Sequence, residues 1–314
     1  RNRFSATSVD QLPHHVASWA LYGHQYLLPA PDIDRTALLV LVGHNPTASN
    51  GSLWTVPDFP QRRRELAARS GRLVVLDPRR TETAKIADEH HFVRPGSDAA
   101  VLLAIVRELL EGDLAAPAEY VHGMDRVRDA VAGFTPELAE RVSGMSADAV
   151  RRLARDLAAA PSAAVHGRMG VSTQAHGVVC QWAVQAINIL TGNLDRPGGT
   201  MFTTPAVDLI GRGVLSPGGF GTKRTRVRGL PGFVSSTPAG HRLDEALAGL
   251  DAMVAIDFYV NETTRHADVI LPPTSPLERD HYDIVFHILA VRDTARWSPA
   301  LFTPPVGAKH DWEI

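Results

Sequence analysis

Three places in the sequence set polar side chains directly after a short apolar run. Leu38-Leu39-Val40-Leu41-Val42 leads into Gly43-His44-Asn45-Pro46, with Thr47, Ser49 and Asn50 close behind. Leu73-Val74-Val75-Leu76 leads into Asp77-Pro78-Arg79-Arg80. Ser162-Ala163-Ala164-Val165 leads into His166-Gly167-Arg168-Met169-Gly170, and Gln174 and His176 follow. Amides and hydroxyls offer a ligand donors and acceptors, and a glycine lets a ligand or another backbone come close. A lone acid past a strand is where dinucleotide-binding sheets grip a ribose or a base. A later run, Ala252–Ile256, repeats the theme. It ends at Asp257 and is followed by Glu262-Thr263, as Asp77 is followed by Glu82-Thr83. The chemistry this suggests is the holding of a nucleotide-bearing ligand at two similar sites. Plainer readings stand beside it: a polar connecting loop after Val42, and ordinary helix capping at Ser97-Asp98, where Gly96 and the N–H groups beyond it could equally hold a phosphate or a guanine carbonyl.

The elements that must position these residues follow from periodicity. Runs of four or five consecutive aliphatics fit strands buried on both faces, as in a parallel sheet. Between the first two lies Val56–Arg69, punctuated by Pro57 and by Ser70-Gly71, so strand, helix and strand make a right-handed parallel unit. Ala99–Leu110 and Val178–Leu190 read as apolar helices, the second closed by Thr191-Gly192-Asn193. Val9–Leu28 reads as a helix or two, with His14 and His15 exposed or in the core. Pro117–Val121, Met124–Val131, Pro136–Val142 and Ala147–Leu157 read as a helical insertion over 117–160. Pro238–Leu250 is helical and Ala267–Leu271 a short strand. The expected fold class is α/β, with two Rossmann-like parallel-sheet domains. The first is 1–205, a glycine-rich linker covers 206–234, and 235–314 is part of a second, discontinuous domain.

Composition narrows the function. A chain of 314 residues with 44% hydrophobic and 21% charged residues can bury real cores. A formal net charge of −2 gives no electrostatic footprint for nucleic acid. No apolar run reaches the roughly 20 residues of a membrane helix. Residues 1–30 carry polar side chains where a signal core would lie, so a cytoplasmic location is expected. With one cysteine, Cys180, a Cys-ligated cluster within this chain is excluded. Gly43-His44-Asn45-Pro46 is not the G-x-G-x-x-G fingerprint, which disfavours a nicotinamide or flavin nucleotide.

The phrases GHNPTASN, VLDPRRTETAKIADEHHFVRPGSDAA, HGRMGVSTQAHG, LTGNLDRPGG and DFYVNETTRHADVILPPTSPLE, in that order, resemble the molybdopterin oxidoreductases of the dimethyl-sulfoxide-reductase type, which include formate dehydrogenases. The resemblance implies a molybdenum (or tungsten) oxidoreductase core, formate-dehydrogenase-like, acting on a small-molecule substrate with bis-molybdopterin guanine dinucleotide. By matching motifs, Gly43, Asn45, Asp77, Arg79, Gly96 and Asp98 would contact one guanine dinucleotide. Gly167, Met169, Gly170, Gln174 and Asn193 would line its pterin side, and Asp257, Glu262 and Thr263 would serve the other dinucleotide. His166, Arg168 and His176 could face the metal as proton relay or anion clamp, or hydrogen-bond the cofactor from behind. On position, Ser8 is the preferred metal ligand and Asp10 the alternative, against a plain helix cap at Ser8. The family's iron–sulfur domain and C-terminal cap would lie on absent segments or partner redox subunits. An apolar strand that the family places before Ser236-Thr237-Pro238-Ala239-Gly240 is missing, since Gly232-Phe233 runs straight into Val234-Ser235. The competing reading is a non-catalytic piece that binds cofactor or a partner subunit without turnover.

Overall fold

A computed structural model describes residues 10–215 and 240–314. Ser8, the linker residues 216–234 and the segment before Ser236 lie outside them. The described residues belong to two compact units, 10–215 with 285–294, and 240–284 with 295–314.

The first unit runs α1 (Leu12–Tyr22), β1 (Ala30–Pro31), β2 (Leu38–Val42), α2 (Pro46–Ser49), α3 (Phe59–Ala68), β3 (Arg72–Leu76), α4 (Glu82–Lys85), β4 (Glu89–His91), α5 (Asp98–Glu111), α6 (Met124–Val131), α7 (Pro136–Ser143), α8 (Ala147–Ala159), β5 (Ala163–Gly167), α9 (Met169–Ser172), α10 (Gly177–Leu190) and β6 (Thr200–Met201). Its central sheet is parallel, in the order β4-β3-β2-β5. All five residues of β2 are buried, because both faces are covered. Leu38, Val40 and Val42 join a core made with α5, α8 and α10, while Leu39 and Leu41 join Trp54, Phe59 and Leu66. Each such burial is worth roughly 1.5–3 kcal/mol, which makes the unbroken aliphatic run the organising signal.

The outer edge of β5 is closed by side chains. Asn188 of α10 accepts from Val165 N at 2.9 Å and donates to Val165 O at 2.8 Å, as a neighbouring strand would. Asn193 Oδ1 accepts from Ala163 N at 3.1 Å. With β2 in register up to Val42↔Gly167, β5 runs two residues further than the expected end at Val165. His166 and Gly167 are therefore strand residues, and the post-strand turn starts at Arg168.

Other departures have local causes. β4 was not legible, since Glu-His-His has no apolar alternation; it forms because β3 offers it a ladder. Pro117–Val121 is a turn, too short and polar to nucleate a helix without an apolar face to bury. The helices after it pack onto α5, and Val131, Ala139, Met145, Val150, Leu153 and Leu157 complete the main core. His14 and His15 are both buried. Residues 285–294 return to the first unit, where Thr55 N donates to Leu289 O at 2.9 Å and Val291 N to Thr55 O at 3.0 Å.

The second unit contains α11 (Gly240–Ala248), β7 (Val254–Ile256), β8 (Val269–Leu271), β9 (His281–Tyr282) and β10 (Trp297–Ser298). β7 pairs parallel with β8, and β9 antiparallel with β10. The fold is thus mixed α/β with parallel sheets, but among the described residues the second parallel sheet has two strands rather than a full domain layer. Val254, Ile256, Val269 and Leu271 on it are exposed. No helix among the described residues is long and apolar enough to cross a membrane.

Candidate functional site

The carboxyl ends of β2, β3, β4 and β5 lie side by side, and the sequence puts its polar turns there. Two glycines make the crossing of two of these turns. Gly43 N donates to Leu76 O at 2.9 Å, and Gly170 N donates to Gly43 O at 3.0 Å. A Cβ on Gly43 would stand 2.8 Å from Gly170 Cα, and one on Gly170 2.7 Å from Gly43 Cα. The close approach expected at Gly43 is therefore made by the backbone of the turn after β5. Gly167 is likewise packed, with Val171 Cγ2 at 2.6 Å from where its Cβ would be.

Asn45 ties the turn after β2 to the start of α4. Its Oδ1 accepts from Thr83 Oγ1 at 2.7 Å and Thr83 N at 3.2 Å, and its Nδ2 donates to Glu82 Oε2 at 2.9 Å. Thr81 caps α4 by accepting from Ala84 N. The Glu82-Thr83 pair noted in the sequence is thus the anchor of this turn.

Asp77 and Asp98 are the buried acids of the edge. Asp77 Oδ1 accepts from Arg79 N at 2.8 Å, the short turn that an acid makes with the N–H two residues on. Asp98, at the first position of α5, accepts from Gln174 Nε2 at 2.9 Å, and the same Nε2 donates to Gly170 O at 3.0 Å. Burial raises both carboxyls above their ordinary range, and the Asp77 charge raises Asp98 further. Gln174 Oε1 is buried and meets no partner among the described residues. The edge therefore holds acceptors in excess of its donors. Gly96, at φ +81°, opens the turn before α5 onto free space, and Arg79, after β3, is exposed.

A carboxyl raised in the fold contributes stability that is present below its unfolded pKa and lost as pH rises through the folded one. Asp98→Asn keeps an oxygen for Gln174 Nε2 and removes the buried charge. The variant is expected to be more stable than the parent at pH 7 without ligand, with the difference vanishing at pH 3 in urea titrations. An equal or lower stability at pH 7 would contradict this reading.

Past β5, Arg168 is buried. Its guanidinium donates to Asp10 Oδ1 at 2.5 Å, Asp10 Oδ2 at 3.1 Å and Ser52 Oγ at 2.7 Å, while its Nε meets no acceptor among the described residues. Asp10, the alternative metal ligand, is thus held in a forked pair with Arg168. Behind it lies a cluster of neutral imidazoles. His44 Nε2 donates to Gly51 O at 3.1 Å, so its Nδ1 must accept, and His166 Nδ1–H stands 3.1 Å from it. His14 Nε2 donates to Gly167 O at 2.9 Å. Burial, with the Arg168 charge adding to it, pushes His14 and His44 down to about 3 and His166 well below its ordinary value. His166 also lines a cavity of about 10 Å³ with His14, Ser18, Gln181 and Gln185, room for one water. His176 and Met169 are exposed, and Asn193 is buried with its amide committed to β5 and Thr191.

In the second unit Asp257 follows β7 as Asp77 follows β3. Its Oδ1 accepts from Phe258 N at 2.6 Å and Tyr259 N at 3.3 Å, and Oδ2 accepts from Asn261 Nδ2 at 3.0 Å. These bonds hold its carboxyl below the ordinary range, the opposite of Asp77. Glu262 is exposed and Thr263 half-buried. Among the described residues no group of three or more His, Cys, Asp or Glu could hold a metal ion.

Sequence reasoning missed Asn188, Gln181, Trp54 and Ser52. A buried amide recurring in an apolar helix was the available signal for Asn188. Ser52 carried none, because only the folded turn brings it to Arg168.

A family model described as molybdopterin oxidoreductase matches residues 3–314. Formate dehydrogenase H of Escherichia coli (strain K12) is 35% identical over 169 residues, covering 53% of this chain and 23% of that protein. The thiosulfate reductase molybdopterin-containing subunit PhsA of Salmonella typhimurium is 25% identical over 100% of this chain and 47% of its own length. The solved structure of acetylene hydratase from Pelobacter acetylenicus matches in fold, with a TM-score of 0.77 at 16% identity over 99% of this chain and 50% of that one. The chain spans no more than about half of the proteins it is compared with here. The motif order along the sequence, a fold shared across its length and a family match over residues 3–314 agree, and the chain belongs to the molybdopterin oxidoreductase family.

Proposed function

We propose that the chain is the cofactor-binding core of a formate-dehydrogenase-like oxidoreductase holding bis-molybdopterin guanine dinucleotide with molybdenum or tungsten. One observation carries this most: two buried acids whose carboxyls burial raises, beside an amide oxygen that meets no partner among the described residues, at the carboxyl edge of a parallel sheet. Guanine offers N1–H and an exocyclic NH₂ to such acceptors, and a dinucleotide's pyrophosphate suits glycine turns and exposed Arg79. Asp77, Asp98, Gln174, Gly96 and Arg79 would touch the ligand. Gly43, Asn45, Gly167, Gly170 and Asn193 would hold the frame around it, with Met169 at the open rim. Asp257, with Glu262 and Thr263, would serve the second dinucleotide.

When bound, the metal and its pterins supply the oxygen-atom or hydride chemistry. The protein's part is orientation and charge. Arg168, fixed by Asp10 and Ser52 with one buried N–H that meets no acceptor among the described residues, would hold an anionic group such as formate. His166, with its Nδ1–H given to His44, would have Nε2 as the nitrogen that accepts a proton. His176, being exposed, would act at the mouth.

The test is metal and pterin analysis of the protein purified from cells that make the cofactor, followed by formate oxidation. Stoichiometric metal with pterin guanine dinucleotide supports the reading, and turnover supports the enzyme. Cofactor without turnover favours the other reading, a non-catalytic cofactor- or subunit-binding piece. Metal-free protein that binds a free nucleotide alone would sink both.

A further inference from the structure

Phe92 is 60% exposed directly after β4, an unusual place for a phenyl ring next to an otherwise polar strand. The ladder explains where it stands. Val75 is paired with His90 and Leu76 with His91, and Asp77 N continues the ladder by donating to His91 O at 3.1 Å. The next residues in register are Asp77 and Phe92, which puts the ring and the acid on neighbouring strand ends and on the same sheet face. His90, two residues back on that face, ties them together. Its Nε2 donates to Asp77 O at 3.0 Å, and its ring lies 4.4 Å from that of Phe92. His90 thus anchors the phenyl ring from one side and leaves the other open.

From this juxtaposition we infer that Phe92, backed by His90, is the stacking platform for the planar base whose edge Asp77 accepts. The inference rests on the nucleotide reading above and adds the residue that selects a flat heteroaromatic ring over a bare phosphate or sugar. An acid alone recognises N–H groups of any shape, whereas a ring beside it requires a π face at a fixed height. The open side of Phe92 and the acceptors of Asp77, Asp98 and Gln174 serve a 2-amino-4-oxo-pyrimidine edge with one face stacked.

The experiment uses the present chain with GDP as the probe, read by calorimetry and by the guanine H8 resonance. The parent is expected to bind, with H8 moved upfield by the ring lying over the base. Phe92→Ala is expected to bind roughly 5- to 100-fold more weakly and to lose the upfield shift. Phe92→Leu, apolar but without a π system, behaves like the alanine variant, and Phe92→Trp retains affinity and shift. Affinity and H8 shift unchanged in Phe92→Ala, while Asp77→Asn loses binding, overturns the platform and leaves the nucleotide reading intact. No GDP binding by the parent overturns both. Far-UV circular dichroism of each variant separates lost folding from lost stacking.

Discussion

Bringing the protein from pH 7 to pH 5 is expected to remove about 4 kcal/mol of stability from the first unit through two histidines alone. His14 and His44 are buried and held near 3, against 6.5 for an unfolded imidazole. A depressed pKa stabilises the fold above the unfolded value and loses that contribution as pH falls below it. At pH 5 each imidazole is protonated in the unfolded chain and neutral in the folded one, which costs about 2 kcal/mol apiece. His166 and His15 are lowered as well, so they push in the same direction. Among the groups facing them Arg168 repels a second positive charge, while Asp10 and the carbonyls of Gly167 and Gly51 oppose the shift without cancelling it. Domains of this size hold about 5–15 kcal/mol in all, so acid unfolding should set in near pH 5 rather than near the carboxylate range. Urea midpoints measured from pH 7.5 to pH 4.5 test it. A flat profile above pH 5 would mean that the imidazoles are hydrated or paired in solution.

Replacing Gly51 with alanine should cost about 3 kcal/mol or more, the sum of a strained backbone and an overfilled core. Asn50, Gly51 and Ser52 are three consecutive residues at positive φ, of 51°, 90° and 59°. A Cβ on Gly51 would meet Trp54 O at 1.7 Å and Val56 Cγ1 at 2.7 Å. Neither can yield, because Trp54 is fully buried with its Nε1 donating to Pro31 O at 2.9 Å, and Val56 N donates to Asn50 O at 2.9 Å. The same turn presents Gly51 O to His44 and Ser52 Oγ to Arg168, so the damage should reach the site. Gly123→Ala is the control. Gly123 has φ +88° with nothing within 4 Å of a Cβ, so its loss should stay near 1 kcal/mol. Equal urea midpoints for the two variants would remove the steric argument.

The strands that carry the site were legible because burial on both faces demands consecutive aliphatics, and β2 and β3 have them. The acids past β3 and β7 were legible for a related reason. A charged residue interrupting such a run must sit at its end. β4 was not legible, since Glu89-His90-His91 becomes a strand only when β3 is there to bond it. The length of β5 was not legible either, because His166 and Gly167 continue it on the strength of β2 on one side and the Asn188 amide on the other.

The sequence by itself determined the family, the parallel sheet and the candidate residues at its edge, because local hydrophobic runs and motif order need no partner to be read. Only the tertiary structure decided what each residue faces. It gave Gly43 to Gly170 rather than to open space, Asp10 to Arg168, His166 to His44, and Phe92 to the side of Asp77. Three of those pairings join residues more than a hundred positions apart and the fourth joins neighbouring strand ends, and the ladder register and helix packing that create them exist only once the chain has folded.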